Sequence, residues 1–209
     1  MPWEKELVVV AADKSIKMAV AAVLARRRAL RIRALEPSQY DLLEHVGRDS
    51  GVFQKGHELL RLYLKTHRHG LLLCDRHGCG REDASREALE QEMEERLRQS
   101  GWGNRAAAVV IDPELEVWVW TRSPHVEEVL GWKGRRPSLV EWMRNNGYLA
   151  EGEIKPQRPQ ECLDRALEIA KKPRSSALFG QIAKRVSLAS CTDPAFRKLR
   201  STLQSWFPP

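Results

Sequence analysis

Apolar residues fall in short unbroken runs in the first half of the chain and at helical spacing in the second. ELVVVAA (6–12) is a continuous apolar run rich in valine, the pattern of a strand buried on both faces of a parallel sheet. DKSIKMAVAAVLARRRAL follows, with Ile16, Val20, Val23 and Leu24 at helical spacing and Asp13 or Ser15 placed to cap the helix. RIRALEP (31–37) predicts a second short strand that stops at Pro37. GRDSGVFQKG, with its three glycines, predicts a loop within residues 38–56, and HELLRLYLKTHRH (57–69) a helix. GLLLC (70–74) reads as the next buried strand, SREALEQEMEERLRQSG (85–101) as a helix begun at Ser85, and NRAAAVVIDP (104–113) as a fourth strand ended by Pro113. Beyond residue 120 the spacing is helical, and AEGEIKPQRPQ (150–160) has the composition of a linker.

Strands that alternate with helices at this spacing predict an α/β fold: an open, mostly parallel sheet flanked by helices, with a C-terminal helical extension. The division expected is an α/β domain over residues 1–132 and a helical extension over 133–209. Right-handed crossovers put the carboxyl ends of all such strands on one edge, where open α/β sheets bind their ligands. Asp13, Asp75 and the Asp112–Glu116 segment each follow directly after a strand and are expected to meet there.

Charge sharpens the division. Residues 1–132 carry 20 Lys/Arg against 21 Asp/Glu, and residues 133–209 carry 15 against 7, so the whole excess of +7 arises in the last third. A basic module beside a near-neutral one points to a polyanion partner, nucleic acid first, gripped through that third; a solvated basic surface is the plain alternative. No apolar run approaches the ~20 residues of a membrane span, and MPWEKELVVV lacks a signal-peptide pattern. The expectation is a cytoplasmic protein without membrane contact, its four cysteines reduced.

Three chemistries compete for LLLCDRHGCG (71–80) and its neighbours. Asp13, Asp75, Glu114 and Glu116 are oxygen donors of the kind that hold Mg2+ or Mn2+, where an ion can activate water and stabilise charge on a phosphodiester. Each could instead cap a helix or brace a turn. Cys74, Cys79, His77, His69 and His67 are zinc-type donors, but Cys-x4-Cys is wide for a structural knuckle and a cysteine at a strand end usually packs as a small hydrophobe. The turn DRHGCG could cradle a phosphate on glycine-exposed N–H groups, or the glycines could simply allow positive φ. Trp118 and Trp120 read as core residues, and Arg26, Arg27, Arg28, Arg31 and Arg33 as either phosphate contacts or a solvated helix end.

VVVAADKS, LLLCDRHGCG and IDPELEVWVW together resemble the Toprim domain and, more closely, small bacterial Toprim-like proteins found beside restriction and phage-defence genes, such as the Toprim-like component of a methylation-associated defence system. KPQRPQECLDRAL and DPAFRKLRSTLQ are weaker matches. The resemblance implies a divalent-metal-dependent nuclease. Asp13 stands where such enzymes place a catalytic glutamate, Asp75 is the first aspartate of their Asp-x-Asp pair, and Glu114 and Glu116 match a later acidic pair. His77 replaces the second aspartate and is a poor magnesium ligand, while Asp13 is one methylene short. The alternative implied is a catalytically degenerate nucleic-acid-binding or assembly subunit that works with other defence proteins.

Overall fold

The structure is a computed structural model that describes residues 3–189 and 191–209. Four strands form the sheet among these residues: β1 (Lys5–Ala11), β2 (Tyr40–Glu44), β3 (His67–Asp75) and β4 (Ala106–Ile111). Their order is β2-β1-β3-β4 and every pairing is parallel. Leu7 to Ala11, Leu71 to Cys74 and Ala108 to Ile111 are almost wholly buried, as unbroken apolar runs in a two-sided sheet require. Each such leucine or valine adds roughly 1.5–3 kcal/mol through burial.

The helices lie on both faces. α1 (Lys14–Leu24) crosses from β1 to β2, whereas α3 (Arg48–Arg61) and α4 (Arg86–Leu97) pack on β3 and β4 from the other side. Asp13 caps α1 by accepting from Ile16 N–H at 2.8 Å, and Ser85 caps α4 by accepting from Ala88 N–H at 3.2 Å. α2 (Arg27–Leu30) is a single turn after α1; after β4 come α5 (His125–Leu130) and then the extension's helices α6 (Leu139–Asn145), α7 (Pro159–Ala170), α8 (Ser176–Arg185) and α9 (Pro194–Trp206).

The extension is packed onto the α/β part. Ser15 Oγ meets Ser176 Oγ at 3.2 Å, and Arg26 donates to Ala183 O at 2.7 Å and Val186 O at 2.5 Å. Contacts at both ends show that α8 runs parallel to α1. On the other flank, Lys198 of α9 bridges Glu90 and Glu94 of α4 at 3.2 and 2.7 Å. Lys198 and Arg174, two cations of the last third, therefore hold the extension to the α/β part. Arg26, from the arginine-rich stretch, ties α8's last turn to α1's end rather than facing solvent.

Three expectations fail here. Residues 31–37 are not a strand: Arg31 turns through a left-handed conformation at φ 58°, and Ile32 and Leu35 are buried without pairing in the sheet. The second strand is YDLLE, short and half-buried at the edge, so it lacks the dense apolar run that marks the others. The glycine-bearing stretch is the first half of α3, not a loop. Its Gly56 lies so close to β3 that a Cβ there would sit 3.0 Å from Leu72 Cδ2, so the glycine serves close helix–sheet packing. α3 then ends at Arg61, and β3 starts at His67, within the stretch expected to be helical. No helix among the described residues is long and apolar enough to cross a membrane.

Candidate functional site at the carboxyl edge of the sheet

Asp13 follows β1 and Asp75 closes β3, so the parallel register brings both to the sheet's carboxyl edge. Asp75 Oδ1 is shielded from solvent and has no hydrogen-bond partner. Burial raises the Asp75 carboxyl well above its ordinary range; Asp49, Glu116 and Asp13 push it further up, while the Leu115 backbone N–H pulls against them. A cluster of negative charge is thus held together without an internal counter-charge on Asp75.

Asp49 was not among the residues expected from the sequence. It lies in the first turn of α3, and its Oδ1 accepts from Asp75 N–H at 2.8 Å. Burial raises its carboxyl and Asp13 adds to the rise, with the Asp75 N–H opposing both. Its one local signal, the acid that ends HVGRD five residues after β2, was hidden inside a stretch whose glycines resemble a loop.

Glu114 and Glu116 reach the same neighbourhood but are engaged. Glu114 is buried, and its Oε1 accepts from Gln160 N–H at 2.8 Å near the start of α7, while Oε2 lies 3.4 Å from His77 Nδ1. Glu116 pairs with Arg174, which also holds Asp164 on α7. Burial raises the Glu116 carboxyl, Arg174 opposes that rise, and Glu114 adds to it. The two glutamates of PELEVW therefore bind the extension to the rim. Asp112 points outward to Arg76 at 2.7 Å.

The DRHGCG turn resolves more sharply. Gly78 and Gly80 adopt φ of 86° and 85°, a region that favours glycine. Their N–H groups donate to Glu82 Oε1 at 2.8 and 3.3 Å, so an internal carboxylate already takes the place in which a phosphate was expected to be cradled. Cys74 and Cys79 are buried free thiols, and burial raises both. Trp120 is core, and Trp118 donates its indole N–H to Asp193 Oδ1 at 2.9 Å.

Beside the carboxylates lies a cavity of about 420 Å³, bordered by Asp13, Lys14, Glu44, His45, Arg48 and Ser176. Lys14 and Arg48 are exposed, with no ion-pair partner among the described residues. The edge thus offers hard oxygen donors next to two free cations, a combination suited to a metal ion and a phosphate group side by side. As they stand, no group of three or more His, Cys, Asp or Glu side chains among the described residues is placed to hold a metal ion. Of the four carboxylates expected from the sequence, Glu114 and Glu116 are engaged with Gln160 and Arg174, whereas Asp75 Oδ1 has no partner.

Comparison with known proteins found no matching family model, no matching curated protein and no matching solved structure.

Proposed function

We propose that this protein is a divalent-metal-dependent, nuclease-like protein related to the Toprim enzymes and acting in bacterial anti-phage defence. The reading rests chiefly on one observation: the Asp75 carboxyl is shielded, unpartnered at Oδ1, and crowded by Asp49, Glu116 and Asp13 at the edge where parallel sheets bind ligands. Mg2+ or Mn2+ suits such a place, because magnesium needs only one or two carboxylates and keeps several waters. Bound there, the ion would supply charge neutralisation for a phosphodiester and a more acidic water. Asp75 and Asp49 would hold it, Asp13 stays fixed by its cap to Ile16 N–H, and Lys14 and Arg48 would orient a backbone phosphate at the cavity's mouth. The defence context comes from the resemblance alone.

Thermal unfolding with MgCl2 or MnCl2, followed by incubation with single- and double-stranded DNA and RNA, tests this. An ion present at a hundred times its Kd stabilises by about 2.7 kcal/mol, roughly 5–10 °C in a chain of this length. Wild type should show that shift and cut at least one nucleic acid, and Asp75→Asn should lose both while remaining folded. Metal-dependent cutting undiminished in Asp75→Asn would sink the assignment.

One observation favours a second reading, a degenerate binding or assembly subunit. Glu114 and Glu116 are engaged with Gln160 and Arg174, and His77 faces Glu114 rather than supplying a second aspartate at the rim. That reading expects no turnover with any divalent ion. If nucleic acid is the partner, its affinity should fall steeply with salt, because phosphate contacts release counterions.

A further inference from the structure

The acids of this chain are unevenly spread. Residues 14–35, 175–192 and 194–209 hold 12 Lys/Arg and no Asp or Glu, whereas the remainder holds 23 against 28. The fold gathers these three stretches into one layer built on α1. α1 and α8 lie side by side, and Ala19 and Val23 of α1, Phe179 and Ile182 of α8 and Phe196 of α9 meet around one small cavity. α2 joins the same layer. Arg26, just before it, bonds the carbonyls of Ala183 and Val186, and Gln204 of α9 donates to Leu30 O at 2.7 Å.

Packing uses part of this charge. Arg26 and Arg200 bond carbonyl oxygens, and Lys198 bridges Glu90 and Glu94 of α4. At the layer's borders Lys17, Arg33 and Arg185 reach Glu44, Glu6 and Glu128. Arg27, Arg28, Arg31, Lys184 and Arg197 are exposed and have no ion-pair partner among the described residues. Three of these five share α2 and its left-handed cap at Arg31. A single turn has little dipole for three cations to complement, and Arg27 and Arg31 stand at the i,i+4 spacing where like charges repel. The fold supplies no counter-charge for them, so an anion from outside relieves the cluster.

What the layer lacks defines that anion. Met18, 36% exposed, is its only large apolar side chain facing water among the described residues. Protein interfaces have an apolar core and membrane-surface helices an apolar face, and this surface offers neither. Its aromatic rings are buried or, in Trp206, stacked on His69 at 4.6 Å, which leaves no platform for the bases of a single strand. The phosphates of a duplex require only Lys and Arg, and guanidinium forks match their oxygens in two-point contacts. The 13 residues of α9 span about 20 Å, the length of roughly six base pairs of backbone.

We propose that the layer formed by α1, α2, α8 and α9 is a docking surface for double-stranded nucleic acid. It holds the phosphate backbone without reading the bases, and Arg27, Arg28 and Arg31 are its densest contact. α2 lies at the far end of α1 from Asp13, about 16 Å along the helix. The proposal therefore goes beyond the carboxylate reading and stands whether or not that edge binds metal.

Fluorescence anisotropy of a labelled 20-base-pair DNA duplex, in EDTA between 50 and 200 mM KCl, tests it. Five phosphate contacts give a log–log salt slope near about −4.5, so wild-type affinity should fall at least a hundredfold across that range. A duplex of unrelated sequence should bind within twofold, and the matching single strand at least fivefold more weakly. Arg27→Gln/Arg28→Gln/Arg31→Gln should weaken duplex binding at least tenfold and reduce the slope by about 3, and Lys184→Gln/Arg197→Gln should reduce it by about 2. Arg122→Gln/Arg136→Gln/Arg144→Gln removes equal charge from exposed arginines outside the layer and should bind within threefold of wild type. All these side chains are exposed, so circular dichroism of each variant should match wild type. Asp75→Asn should bind the duplex unchanged; duplex binding without any metal response would fault the carboxylate reading alone. The proposal is overturned if the duplex does not bind at 50 mM KCl, or if the folded α2 and α8–α9 variants bind as wild type does. It is equally overturned if the two triple variants lose affinity alike, if the single strand binds more tightly than the duplex, or if poly-glutamate of matched charge competes as well as the duplex.

Discussion

Two buried titratable side chains sit six residues apart on β3, and the surroundings differ in kind. Asp75 closes the strand at its carboxyl end with Oδ1 unpartnered, among acids that share its sign. His69 lies near the other end with both ring nitrogens unpartnered, stacked on Trp206 at 4.6 Å and edge-on to Phe207 at 5.4 Å. Burial lowers the His69 imidazole to about 4, with Arg68, Arg105 and Arg33 adding to the effect. The histidine is sealed under the end of α9 and is neutral at physiological pH, so it behaves as an aromatic packing residue. The aspartate is crowded by Asp49, Glu116 and Asp13, with its repulsion unrelieved. The same strand thus carries one orphan polar group absorbed by aromatic packing and another surrounded by charges of its own sign.

The largest effect that could break this contrast is at the histidine. Its folded pKa lies below its unfolded value of about 6.5, so the stability it preserves is complete above that pH and is lost as pH falls toward about 4. The loss amounts to about 3 kcal/mol across that window. Asp75, Asp49 and Glu116, all raised, act in the opposite direction: they favour the folded state as pH falls from neutral toward the ordinary carboxylate range. Urea unfolding of wild type and His69→Phe between pH 7 and pH 4 separates the two. The variant should gain stability relative to wild type as pH drops, and parallel curves would show that His69 is not buried neutral.

A somewhat smaller effect is expected where the extension meets the rim. Arg174→Ala leaves Glu116, 6% exposed at its side chain, without its cation. Breaking a fully buried pair costs about 3–5 kcal/mol; Arg174 is 37% exposed, and solvent screening lowers the expected loss to about 2 kcal/mol. Denaturant unfolding at pH 7 measures it. The deficit should shrink near pH 5, where Glu116 takes up a proton more readily. A loss that does not change with pH would mean that Arg174 contributes packing and not charge.

The legibility of these regions from sequence follows local chemistry. β1, β3 and β4 announce themselves because burial on both faces demands unbroken valine, leucine and isoleucine. β2 does not, since an edge strand with one covered face can afford Asp41 and Glu44, each paired to a lysine. RIRALEP carries strand-like apolar spacing because Ile32 and Leu35 are buried, yet the left-handed Arg31 and Pro37 bound a segment that pairs with nothing in the sheet. α3 was disguised by its glycines, of which Gly56 lies against Leu72 of β3 and Gly51 against the His45 ring. That error concealed Asp49, whose contribution comes from tertiary placement opposite Asp75. Asp13 and Asp75 were legible because a strand exit fixes them at the edge. The ion pair of Glu116 with Arg174 was not, because it joins residues 58 apart through a helix pairing that no local pattern encodes.

The smallest expected effect is the one that most directly tests the aspartate. If Asp75 is held against like charges for the sake of a cation, removing its charge should relieve strain in the empty protein. Asp75→Asn is then expected to be more stable than wild type at pH 8 by about 1 kcal/mol, the scale of gain seen when a site kept for function is relaxed. The gain should fade as pH falls, because wild-type Asp75 gains its own proton and the two proteins converge. Adding MnCl2 should reverse the order at pH 8, stabilising wild type past the variant. Denaturant unfolding at pH 8 and pH 5, with and without the ion, reads all three outcomes. A variant less stable than wild type at pH 8 without metal would place Asp75 with His69, as a buried group whose role is structural.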